Sequence, residues 1–128
     1  MADTEKITVN LSVVDLGQVD LLVEQGFYSS RSDLIRTAIR NQLSAHSEAV
    51  KQAVVRKQMV IGALSYNCKE LESRRAAGEQ LNIRVVGLVN LASDVRPELA
   101  LDTIQRLKVH GVLRASQEVK DALADRIE

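Results

Sequence analysis

Hydrophobic and polar residues alternate strictly over residues 6–12 (KITVNLS), which places Ile7, Val9 and Leu11 on one face of an extended strand and Lys6, Thr8 and Asn10 on the other. At Ser12 the period changes. Leu16, Val19 and Leu22 or Val23 recur at helical spacing as far as Gly26, and Ser12 with Asp15 forms a helix start signal. Phe27 and Tyr28 follow. Ser30 with Asp33 then opens a second helix, whose apolar stripe is Leu34, Ile35, Ala38, Ile39 and Leu43, with Arg36 and Arg40 off it. A lone short strand leaves backbone donors and acceptors unpaired along its edges, and no second alternating run lies within hairpin distance. The predicted partner is therefore the same strand from another copy of the chain. Two such strands make an antiparallel ribbon, apolar beneath and lined above by Lys6, Thr8 and Asn10.

With this order of strand, helix, glycine turn and helix, residues 6–43 resemble the Arc/MetJ/CopG-type ribbon-helix-helix family of prokaryotic DNA-binding proteins. The most specific match is GFYSSRSDLIRTAIR (residues 26–40), where the family typically shows a Gly, an aromatic, then Ser-x-Ser or Ser-Arg-Ser opening the second helix. The resemblance implies that the strands of two subunits pair and enter the major groove of double-stranded DNA. It also implies that the start of the second helix clamps a backbone phosphate. Carried over by position, Lys6, Thr8 and Asn10 would read bases, and Ser30, Arg31 and Ser32 would sit at the phosphate clamp. Asn10 departs from the pattern, since many members carry a basic residue there, and it favours adenine over guanine. The residue chemistry agrees with these roles. A major groove admits a two-stranded ribbon, and free amides at a helix N-terminus suit an anion. Phosphate contacts would fix register while the ribbon specifies sequence. The implied function is a homodimeric, sequence-specific transcriptional regulator, most simply a repressor. One alternative shares the N-terminal fold, an antitoxin with a toxin as protein partner that autoregulates its operon; the other is of a different class, an architectural or plasmid-maintenance protein that coats DNA.

Residues 44–58 contain no Gly or Pro and are rich in helix formers, so helix is expected to continue, with or without a break near Ser47. The pattern thus divides the chain into a ribbon-helix-helix over residues 1–46, a helical linker over 47–58 and an α/β unit over 59–128. The last unit contains an internal repeat. IRVVGLVNLASDVRPELA, from Ile83, aligns with LKVHGVLRASQEVKDALA, from Leu107, at an offset of 24 without gaps. Val85, Gly87, Val95, Leu99 and Ala100 recur as Val109, Gly111, Val119, Leu123 and Ala124. A fainter third copy, MVIGALSYNCKELESRRA, places Gly62 25 residues before Gly87, with Asn67 and Glu70 as helix cap signals. Each copy reads strand, turn, short helix, with a period in the range of leucine-rich-repeat solenoids. The overall fold class expected is α+β, with a short leucine-rich-repeat-like stack of parallel strands in the second unit; the alternative is a small α/β domain whose halves are alike by chance. In register, Arg84, Val86, Leu88 and Asn90 share one face with Lys108, His110, Val112 and Arg114. Ile83, Val85, Val89, Leu91, Leu107, Val109 and Leu113 share the other and supply the core. The first face mixes apolar and charged residues, which suits a contact between proteins more than a small-molecule cavity. Joining dimers into a tetramer, or sensing a partner, is its expected use.

Composition sharpens this only in places. The 128 residues carry 17 basic and 17 acidic side chains, so the usual basic signature of a DNA binder is missing. DNA binding would rest on local placement of Lys6, Arg31 and Arg36 or Arg40. Aromatic residues make up 2% with no Trp, which disfavours stacking-based recognition of single strands or RNA. One Cys permits no internal disulfide and fits a cytoplasmic protein. No apolar run resembles a signal peptide or a membrane helix, and residues 1–5 read as a short acidic disordered arm. His46, Cys68 and His110 have no metal-site spacing, and no catalytic grouping or cofactor motif stands out, so neither an enzyme nor a bound cofactor or metal is expected.

Overall fold

The computed structural model describes residues 4–128; the expected acidic arm falls largely on residues 1–3, outside the described residues. The fold is mixed α/β, with six helices and one three-stranded parallel sheet among the described residues. The chain divides into two compact units, the first ending at Gln52 and the second comprising Ala53–Glu128.

In the first unit, α1 (Val13–Glu24) and α2 (Arg31–Ala45) start where the sequence signals them. The Ser12 hydroxyl accepts from the Asp15 amide at 3.1 Å, and Ser30 does the same for Asp33 at 3.1 Å. Each bond satisfies one of the orphan amides of a helix N-terminus. Between the helices Gly26 takes φ +85, a left-handed turn that a glycine enters without steric cost. At His46 the helix breaks, and α3 (Ser47–Arg56) follows. Residues 4–12, which include the segment expected to be a strand, form no ladder within the chain. From Thr4 to Gln58 no described residue is fully buried.

The second unit alternates strand and helix: β1 (Val60–Tyr66), α4 (Cys68–Ala76), β2 (Leu81–Leu91), α5 (Pro97–Thr103), β3 (Ile104–Arg114) and α6 (Gln117–Ala122). The strands are parallel in the order β1-β2-β3. Their register equals the offsets of the sequence repeat: Gly62 pairs with Gly87, Gly87 with Gly111, and Ile83 with Leu107. Asn67 and Ser116 cap α4 and α6, accepting from the amides of Glu70 at 2.8 Å and Val119 at 3.2 Å. Pro97 opens α5, where its missing N–H costs nothing. One core runs between sheet and helices. Ile83, Val85, Val89, Leu91, Ile104 and Leu107 meet Leu71 of α4, Leu99 and Ala100 of α5, and Val119 and Leu123 at α6, with Val109 and Leu113 packed against them. Thr103, also buried, donates its hydroxyl to the Leu99 carbonyl at 2.7 Å. The opposite sheet face carries Arg84, Val86, Leu88 and Asn90 beside Lys108, His110, Val112 and Arg114, none of them fully buried.

Candidate nucleic-acid interface

Lys6, Thr8 and Asn10 are all exposed, on the segment that makes no intrachain ladder. So are the alternate residues: Ile7 is 73% exposed, Val9 66% and Leu11 44%. Apolar side chains at this density on one short segment mark a surface meant to be covered. The helices that follow add to it. Val13, Val14, Phe27, Ile35, Ile39 and Leu43 are exposed as well, while Leu16, Val19, Val23 and Leu34 are only half-buried.

The second predicted cluster, Ser30, Arg31 and Ser32, comes together at the N-terminus of α2. Two of the three already have partners. The Ser30 hydroxyl is occupied by the Asp33 amide, and the Asp33 carboxylate folds back to accept from the Ser29 amide at 3.0 Å and its hydroxyl at 3.2 Å. Arg31 donates Nε and Nη2 to the two carboxylate oxygens of Asp20 on α1, at 2.7 and 2.8 Å. The planar guanidinium matches a carboxylate in this fork geometry. Arg31 holds the Asp20 carboxyl below the usual carboxylate range, chiefly through these hydrogen bonds, and Asp20 raises Arg31 in turn. The Ser32 hydroxyl is exposed. Asp20 is the residue that sequence reading missed. A signal was available, because positions 20 and 31 are equidistant from the turn at Gln25 and Gly26, one on each of the two helices that the turn joins.

Arg36 and Arg40 are exposed along α2. The remaining candidates are dispersed. His46 ends α2, His110 is exposed on β3 and Cys68 begins α4. Burial pushes the Cys68 thiol up, assisted by Glu72, which accepts its hydrogen bond, so its place at a helix start does not make it a thiolate. Among the described residues no three His, Cys, Asp or Glu side chains group as a metal site, and no helix is long and apolar enough to cross a membrane.

Comparison with curated proteins and with solved structures yields no match. The family model described as the Ribbon-Helix-Helix transcriptional regulator family does match, over residues 2–120, and so takes in the parallel sheet as well as the two-helix unit. Such regulators bind DNA and typically dimerise. The chain therefore belongs to the Ribbon-Helix-Helix transcriptional regulator family.

Proposed function

We propose that this protein is a homodimeric, sequence-specific repressor that inserts a two-stranded ribbon into the major groove. Lys6, Thr8 and Asn10 of each copy read base edges, and the start of α2 at Ser30, Arg31 and Ser32 meets backbone phosphate. The observation that carries this reading is the absence of any fully buried residue between Thr4 and Gln58, despite the apolar faces of the 6–12 segment, α1 and α2. A monomer leaves those faces in water, whereas a second copy covers them and supplies the missing strand. The ribbon and its phosphate clamp are legible in the same residues. The second unit, which has its own core, reads as a three-turn repeat stack and favours a regulator over an antitoxin whose tail folds on a toxin.

The test is site selection from random duplexes, followed by titration of variants on the selected and on random DNA. Thr8→Ala and Asn10→Ala should each lose about 1–3 kcal/mol of discrimination at one base pair. Arg31→Ala should weaken all sequences alike and flatten the salt dependence, because phosphate carries no sequence information. If Asn10→Ala loses equally on selected and random duplexes, Asn10 reads no base.

A further inference from the structure

β1 is an outer strand of the sheet, and its free edge lacks the devices that usually protect such an edge. The strand reads VIGALSY, with no charge and no proline, and Val60 and Ile61 are 52% and 60% exposed. An uncharged, exposed edge of this kind is a template for another strand. The opposite edge differs. β3 carries Arg106, Lys108 and Arg114. The last residues also pair against it, with the Leu107 amide donating to the Arg126 carbonyl at 3.0 Å and the Glu128 amide to Leu107 at 2.9 Å.

A second observation points to the same edge. Gly62, Gly87 and Gly111 form one column across the sheet, at φ +142, +139 and +127. Beside Gly87 the space a Cβ would take is filled by the Gly62 carbonyl, and beside Gly111 by the Gly87 carbonyl. At Gly62 nothing lies within 4 Å of that space. The column is open at β1, and its first slot has room for a backbone.

We propose that β1 pairs with β1 of a second copy across a two-fold axis, joining the two sheets edge to edge. A two-fold perpendicular to the sheet makes the pair antiparallel, and the register that pairs all of β1 centres on Ala63. A second copy is favoured as the occupant on two grounds. An uncharged strand meets its own copy without repulsion, whereas a copy laid on the outer sheet face would bring Arg84 and Lys108 up against their own kind. In addition, only residues 53–59 separate the first unit from β1, so dimerisation of the first unit delivers two β1 strands into one molecule at high effective concentration. The inference rests on the homodimer reading.

The experiment uses the full chain in a Cys68→Ser background. Ala63→Cys should form a disulfide-linked pair on mild oxidation, as directly opposed residues allow, whereas Lys69→Cys on exposed α4 should not. Hydrogen exchange gives an independent readout: the β1 amides that point away from β2 are protected in the wild type, and Ile61→Lys should speed their exchange at least tenfold while β2 amides stay protected. Sedimentation separates the two failures. A dimer with no cross-link, in which the β1 amides pointing away from β2 are unprotected, overturns the edge pairing and leaves the homodimer standing. A monomer at all concentrations overturns both.

Discussion

Arg31 commits Nε and one Nη2 hydrogen to Asp20, which leaves Nη1 and the second Nη2 hydrogen for another acceptor. A phosphate approaching α2 would therefore meet a guanidinium already fixed in place, with less rotamer freedom to lose on binding. The pair also has a pH signature. Because the folded-state pKa of Asp20 is lowered, its contribution to stability is present above the unfolded carboxylate value, about 3.9, and is lost as pH falls through the lower folded value. A carboxyl-detected NMR titration should place the Asp20 midpoint below that of an unperturbed aspartate. In Arg31→Ala it should return to the ordinary range, and an unchanged midpoint would mean that the pair does not form in solution. That contact was hidden from the periodicity, which marks faces and not the partner across a turn. The caps at Ser12, Ser30 and Asn67 were readable, because a cap is decided within three residues of chain.

The sheet was legible further than parallel strands usually are. Pairing between strands far apart in sequence leaves no local mark, but here the chain repeats itself, and the repeat offset is the register. The glycine column is where sequence and strand geometry meet. A Cβ on Gly87 or Gly111 would fall on the carbonyl oxygen of the preceding strand, and backbone cannot yield as a flexible side chain does. Gly62 has open space and carries only the conformational penalty of its φ. Gly62→Ala should then cost about 1–3 kcal/mol, and Gly87→Ala and Gly111→Ala distinctly more, enough to shift the strand register or unfold the second unit. Urea unfolding followed by circular dichroism would rank the three, and equal losses would show that the column matters only through φ. Less readable was the closing of β3 by residues 126–128. Nothing in RIE announces a strand partner, and that pairing exists only once Leu107 is in place beside it.

At the scale of the molecule the two units differ in what holds them. The second has fully buried side chains such as Leu71, Ile104, Leu107 and Leu123. At about 1.5–3 kcal/mol for each fully buried apolar side chain, such a core is a substantial share of a domain's stability within one chain. Among its described residues the first unit has none that is buried, and α1 and α2 are each near the lower limit for standing alone in water. In the proposed homodimer its folding is coupled to association, and its stability then depends on concentration by mass action, at about 1.4 kcal/mol for each tenfold change. Hydrogen exchange on the full chain over a thousandfold dilution separates the units. Amides of α1 and α2 should lose protection as the dimer dissociates. Those of β2, inside the sheet and paired on both sides, should not. Concentration-independent protection of α1 and α2 would mean that the first unit folds as a monomer, and the exposed 6–12 segment would then need a different partner from its own copy. If β2 loses protection in step with α1, the two units fold as one cooperative body, and pairing at the β1 edge becomes part of what holds the sheet together.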